Sequence, residues 1–73
     1  MTAVWLAAPW PRECPVVPFA SRDAARAYVD RPWRNRIALG ITRWSWSGAS
    51  WELIDRDLGN VGNVRRARVR GVA

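Results

Sequence analysis

Residues 44–51 read Trp-Ser-Trp-Ser-Gly-Ala-Ser-Trp and hold three of the chain's six tryptophans. Runs rich in β-branched and apolar residues lie on both sides of this segment. Two such runs around a turn that contains glycine are the usual signal of a β-hairpin. The segment therefore predicts a hairpin over about residues 36–57, with the turn at Ser47–Ser50 and with Gly48 at the positive φ that a tight turn needs.

The position of this turn also sets the antiparallel register of the hairpin. Trp46 then lies opposite Trp51, and Trp44 lies opposite Leu53. Because side chains alternate between the two faces of a strand, these four residues share one face. Cross-strand aromatic pairs contribute roughly 0.2–1 kcal/mol each beyond an alanine pair. We therefore expect a well-specified register, with Trp46 and Trp51 as core residues whose truncation costs roughly 3–5 kcal/mol.

The rest of the chain predicts few other elements. Its 73 residues are enough for one small domain over residues 1–73. Residues 2–7 predict a strand, and the prolines that follow predict an irregular connection. One short helix is expected over about residues 21–31, because Ser21 is a suitable N-cap and Pro32 ends the helical pattern.

The predicted fold class is α+β, a small antiparallel sheet of three or four strands built on the Trp-rich hairpin, with one short helix across a face. A single helix covers only one of the two sheet faces. The proline-rich segment after the first strand, or a partner, then has to cover the other. Trp10 in that segment is expected to act as a lid on the core.

The composition excludes several kinds of catalytic site. The chain has no histidine, no lysine and one cysteine, Cys14. This rules out Ser-His-Asp and Cys-His nucleophiles, the P-loop lysine and the usual zinc sites. Asp55 and Asp57 could share a divalent cation, but a solvated strand end in salt contact with Arg56 is the simpler interpretation. We therefore expect no enzyme activity, no cofactor and no metal site.

The same features bear on the location of the protein. A lone cysteine forms no internal disulfide, which favours a reducing compartment. No apolar run approaches the ~20 residues of a membrane span, and residues 1–9 lack the basic start of a secretion signal. We expect no membrane partner and a location in the host cytoplasm or in a virion. The size and composition are typical of a phage or mobile-element product of a high-GC bacterium.

The positive charge of the chain suggests a partner. The net charge is +6, and all twelve basic residues are arginine. Arginine favours bidentate contact with phosphate. Coding bias in a high-GC genome also explains the missing lysine, but it does not explain the excess charge. That excess lies in two segments: residues 22–43 have six arginines against two aspartates, and residues 60–73 have four arginines and no acid.

Basic segments that also contain aromatic residues suit nucleic acid, because arginine neutralises phosphate and tryptophan stacks on bases. Trp33 is the candidate for stacking. If the C-terminal segment is extended, Arg66, Arg68 and Arg70 share one face at intervals of about 6.6 Å, comparable with the phosphate spacing of an extended strand. The alternative is a solvated edge strand whose charges prevent aggregation. The candidate contacts are Arg31, Trp33, Arg34, Arg36, Arg65, Arg66, Arg68 and Arg70.

The sequence is also consistent with a second class of function, binding to a protein. Tryptophan and arginine are enriched at protein-binding hot spots, and six tryptophans are more than a core of this size needs. Two hypotheses follow. The first is a small basic, non-enzymatic protein that contacts nucleic acid through an Arg/Trp surface. The alternative is a protein-docking or structural assembly subunit, a virion component or an inhibitor of a host protein. Either is compatible with a homo-oligomer.

Overall fold

The computed structural model describes residues 2–11 and 13–69. Within these residues, five strands form one antiparallel sheet in the order β2-β1-β5-β4-β3. The elements in chain order are β1 Thr2–Pro9, β2 Val17–Phe19, α1 Arg22–Asp30, a 3-10 turn Arg31–Trp33, α2 Arg34–Ala38, β3 Thr42–Trp46, β4 Trp51–Asp55 and β5 Gly59–Val69. The α+β class is confirmed, whereas the expected count of three or four strands is wrong.

The hairpin of β3 and β4 has the predicted register. Trp46 pairs with Trp51 and Trp44 pairs with Leu53. The Ser47 amide donates to the Ser50 carbonyl at 2.9 Å, and Gly48 has a φ of 96°. The predicted bounds of 36–57 are too wide, because residues 36–38 belong to α2 and the strand begins only at residue 42.

Helix α1 agrees with the predicted helix to within one residue at each end. Ser21 accepts a hydrogen bond from the Ala24 amide at 3.1 Å through its hydroxyl. Pro32 does not stop the helical path, however, because the chain continues through the 3-10 turn into α2. A proline is tolerated there, since the first residues of a new helical segment need no amide donor. The expected basic loop over residues 31–36 is therefore helical.

The proline-rich connection also differs from its prediction. Residues 17–19 pair with β1, with Phe19 opposite Trp5. Pro18 fits in this strand because β2 is at the sheet edge, where a missing amide donor is tolerated. Trp10 is 45% exposed, so the expectation that it covers the core is wrong.

Strand β5 is the longest strand and lies between β1 and β4. Its pairing with β1 runs from Gly62 to Val69, but its pairing with β4 ends at Val64. Residues 65–69 therefore have a neighbouring strand on one side only. That half of β5 has the edge position that the edge-strand alternative expects.

Helix α1 packs across one face of the sheet, which we call the helix face; the opposite face is the open face. Gly62 allows the close approach, because a Cβ there would clash with Val29 Cγ1 of α1. The buried apolar residues are Ala7, Ala25, Val29, Trp33, Leu53, Val61 and Val64. None of the helices in the described ranges is long and apolar enough to cross a membrane.

Candidate nucleic-acid interface

The tip of the hairpin, on the helix face, forms a shallow depression of about 340 Å³ lined by Trp5, Arg22, Trp46 and Trp51. The ring centroids of Trp46 and Trp51 are 5.3 Å apart, and their planes are tilted by 52°. The depression and the arginines of α1 and β5 around it form a wider region that we call the Arg–Trp surface. Its members are Trp5, Arg22, Arg26, Trp46, Trp51, Arg66 and Arg68.

Helix α1 contributes two guanidinium groups to this surface. The Arg26 guanidinium carbon lies 4.9 Å from the ring centroid of Trp51 and 5.0 Å from that of Trp44. The Arg22 guanidinium carbon lies 6.0 Å from the Trp51 centroid. Cations at these distances are attracted to the negative ring face. The contacts hold α1 against the hairpin and place positive charge beside the depression.

Strand β5 extends the surface away from the hairpin. Arg66 pairs with Trp5 and lies two residues beyond Val64, the partner of Trp51. It is therefore a diagonal neighbour of Trp51 on the same face, at about 7–8 Å. Arg66 and Arg68 are both exposed. Among the residues that the structure describes, no acidic side chain forms an ion pair with either of them.

The alternation of β5 separates the predicted C-terminal contacts. Arg65 lies opposite Leu6, so it faces the open side of the sheet, whereas Arg66 and Arg68 face the helix side. Arg70 lies outside the described residues. The predicted row of arginines on one face is therefore present for Arg66 and Arg68, and Arg65 does not belong to it.

Trp33 is not a stacking residue, contrary to the prediction. It is 9% exposed and belongs to the buried core, so a base has no access to its ring. The helical path after α1 turns the side chain inward. The sequence carries a signal for this, because Ala25, Val29 and Trp33 recur every four residues along a helical face.

Arg36 is also used inside the fold rather than on the predicted surface. Its Nε and Nη2 donate to the two carboxylate oxygens of Asp55 at 2.7 and 3.1 Å. The same Nη2 donates to Asp57 at 3.0 Å. A guanidinium with both carboxylates in contact has little charge left for phosphate, so we exclude Arg36 from the interface.

Asp55 itself is 1% exposed and accepts from several donors. The Thr42 hydroxyl donates to it at 2.6 Å, and the backbone amides of Asp57 and Leu58 each donate at 3.0 Å. The Arg36 guanidinium, aided by the Thr42 hydroxyl, holds the pKa of Asp55 well below its usual range.

The expected solvated strand end, in which these carboxylates contact Arg56, is therefore wrong for Asp55. Only Asp57 lies near Arg56, with 3.5 Å between the Arg56 Nε and a carboxylate oxygen. In the described ranges, no group of three or more His, Cys, Asp or Glu side chains is placed to hold a metal ion.

Arg31 and Arg34 are exposed, as predicted contacts should be, but they lie after the C-terminal end of α1. The depression lies at the other end of the helix, where Arg22 is, a helix length of roughly 13 Å away. The Arg34 Nε lies 3.9 Å from an Asp30 carboxylate oxygen. These two arginines therefore form a separate basic region.

The sequence predicts Trp46 and Trp51 as core residues and does not single out Trp5 or Arg22 as contacts. Trp51 packs partly against the core, but Trp46 is 53% exposed. Trp46 is the last residue of β3, and its place beside the turn leaves it with little covering structure. In the sequence, the signal for the exposure of Trp46 is that a large apolar residue lies directly before a hairpin turn.

The open face carries the remaining exposed groups. Trp10 and Cys14 line a cavity of about 440 Å³ together with Ala8 and Asn63. Arg43, opposite Ile54 in the hairpin, is exposed on this face as well. The open face thus has arginines and a tryptophan of its own, which makes it the natural comparison for the Arg–Trp surface.

No protein-family model matches the chain, and no curated protein or solved structure matches it. Its function is therefore inferred from the chemistry of its surfaces. Exposed indole rings bind by stacking, and guanidinium groups without an acidic partner bind anions.

Proposed function

We propose that this protein binds nucleic acid through the Arg–Trp surface. The observation that carries the proposal is the position of Arg66 and Arg68, which are exposed, free of ion pairs among the described residues, and on the same face of the sheet as the half-exposed ring of Trp46. Arginine at such a site neutralises phosphate and releases counterions. An exposed indole on the same face stacks on a base.

The distribution of acids supports this choice of surface. Asp55 and Asp57 neutralise Arg36 at the base of the hairpin, the end opposite the depression. Beside the depression, the Asp23 carboxylate lies 3.6 Å from the Nε of Arg22, one of its lining residues. Both side chains of that pair are largely solvated, and exposed ion pairs contribute only about 0–1 kcal/mol. A phosphate can replace such a contact at little cost.

The test measures affinity against salt by fluorescence anisotropy, using labelled single-stranded and duplex oligonucleotides. We expect log K to fall linearly with log salt, with a slope of about −0.9 per phosphate contact on duplex and about −0.7 on a single strand. Replacing Arg66 and Arg68 together by serine removes two contacts, so the slope becomes shallower by roughly 1.4–1.8.

The matched control replaces Arg43 and Arg65 by serine. It removes the same charge from the open face and leaves the Arg–Trp surface intact, so the slope stays close to that of the wild type. Equal losses in both double variants would show that binding follows net charge alone, which would contradict the assignment of the surface. No binding of any oligonucleotide at low salt would contradict the function itself.

Docking on a protein is the second candidate function. The exposure of Trp46 and Trp10, on opposite faces, favours it, because tryptophan is prominent among binding hot spots. If docking on a protein is the function, we expect no binding of any oligonucleotide at low salt. The phage or mobile-element origin and the location in host cytoplasm or virion stay predictions from the sequence.

A further inference from the structure

We infer that the ligand of the Arg–Trp surface is a single strand, with a base stacked on Trp46 and the adjoining phosphates on Arg66 and Arg68. The inference rests on the proposed function and goes further by naming the form of nucleic acid and the residue that stacks. Three features of the surface support it: an open ring, a charged row on the same face of the sheet, and a helix unsuited to a DNA groove.

The open ring is Trp46. Its contact with Trp51 is tilted rather than parallel, and half of the residue remains in solvent. Trp51 differs, because Arg26 and Arg22 lie over its ring. Those guanidinium groups hold Trp51 in place, and Trp51 in turn supports Trp46. The ring is thus held ready for stacking before any ligand binds.

The charged row runs along β5 from the depression. Arg66 is the diagonal neighbour of Trp51, and Arg68 follows on the same face at about 6.6 Å. Trp46 lies two strand spacings of about 4.8 Å from β5, with Trp51 between them. An extended strand that stacks one base on Trp46 can therefore cross Trp51 and place phosphates on these two arginines. Both the rings and the arginines lie on one side of the sheet, so a single continuous strand reaches them.

A duplex makes these contacts only at a higher free-energy cost than a single strand. Its base faces are stacked on each other, and exposing one to a side chain costs a few kcal/mol in unstacking and unpairing. A single strand avoids most of this cost. Readout of a duplex groove by α1 is also disfavoured, because the exposed side of the helix includes Asp23, Ala24 and Ala27, whose side chains donate no hydrogen bonds to base edges.

The experiment compares one labelled mixed-sequence oligonucleotide in three forms: single-stranded DNA, single-stranded RNA and the DNA duplex. At equal salt we expect at least one single strand to bind about tenfold or more tightly than the duplex. The ratio between the DNA and RNA forms identifies which strand is preferred. Trp46→Ala should weaken single-strand binding by roughly 5- to 150-fold, the range that corresponds to loss of one stacked base.

Two further variants distinguish loss of stacking from loss of packing and from loss of any exposed tryptophan. Trp46→Leu retains apolar bulk in the hairpin without an aromatic face, and it should lose single-strand affinity as Trp46→Ala does. Trp10→Ala removes an exposed tryptophan from the open face and should bind as the wild type does. Circular dichroism melting confirms that each variant is folded at the temperature of the binding assay.

The outcomes separate the inference from the proposed function. If the duplex binds as tightly as the single strands, and Trp46→Leu binds all three forms normally, the inference is wrong while nucleic-acid binding stands. The ribbon of β1 and β5 would then be the element that meets the duplex. If none of the three forms binds at low salt, the proposed function is wrong as well.

Discussion

The two ends of the hairpin use arginine in opposite ways. At the base, where β3 begins and β4 ends, Arg36 and Thr42 donate to the buried carboxylate of Asp55. At the tip, Arg22 and Arg26 lie over the ring of Trp51, and Arg66 has no acidic partner among the described residues. The difference is the position of the acids. Arginine stabilises the fold where a carboxylate is buried beside it, and it is available to a ligand where none is.

Replacing Asp55 by alanine should break the base of the hairpin and give the largest effect. The change leaves Arg36 and the hydroxyl of Thr42 without their partner, and loss of one member of a buried pair is strongly destabilising. We expect Tm to fall by on the order of 10 °C or more, measured by circular dichroism. Asp57→Asn is the matched control, since this exposed aspartate makes one of the Arg36 contacts, and its Tm should fall far less.

If the two variants melt at similar temperatures, burial of the carboxylate does not determine how much it stabilises the base of the hairpin. The role assigned to Asp55 in organising the hairpin would then be wrong.

Acid should weaken the base of the hairpin through the same carboxylate. The pKa of Asp55 is lower in the folded state than its ordinary value of about 3.9 in the unfolded chain. Its contribution to stability is therefore complete above about pH 4 and is lost as pH falls toward the folded-state pKa. We expect a constant Tm between about pH 5 and 7 and a decline below about pH 4. In Asp55→Asn the decline should be shallower, and an equal decline would assign the acid sensitivity to other carboxylates.

Truncation at the tip should cost much less than truncation in the middle of the hairpin. Trp46 is half-exposed, whereas Leu53 on the neighbouring strand is fully buried. We expect Leu53→Ala to lose roughly 2–5 kcal/mol of unfolding free energy and Trp46→Ala about 1 kcal/mol, both measured by urea denaturation. Equal losses would show that Trp46 is a core residue, as the sequence alone suggested, and would weaken its role as a stacking platform.

Local sequence signals predicted the hairpin register and the first helix well. The register depends on a short turn and on facing tryptophans, and the helix depends on the cap at Ser21. Both are determined by residues close together in the chain. The strand count was not predictable in this way, because β2 is only three residues long and contains Pro18, and the N-terminal half of β5 is rich in glycine and asparagine, which are typical of turns.

The interface was predicted only in part, for the same reason. Arg66 and Arg68 follow from the alternation of an extended segment. The inward turn of Trp33 and the pairing of Arg36 with Asp55 depend on the helical path after Pro32, where the sequence predicts a loop. The contributions of Trp5 and Arg22 depend on β1 and α1 meeting at the hairpin tip, which no local pattern shows.

The most direct test of the account records the indole N–H signals of the ¹⁵N-labelled protein by NMR. The six tryptophans give six such signals, which single Trp→Phe variants assign. Titration with single-stranded oligonucleotide at low salt should shift the signals of Trp46 and Trp51 and leave those of the buried Trp33 and the open-face Trp10 in place. A titration that moves Trp10 and leaves Trp46 unchanged would contradict the account, because it would put the ligand on the opposite face of the sheet.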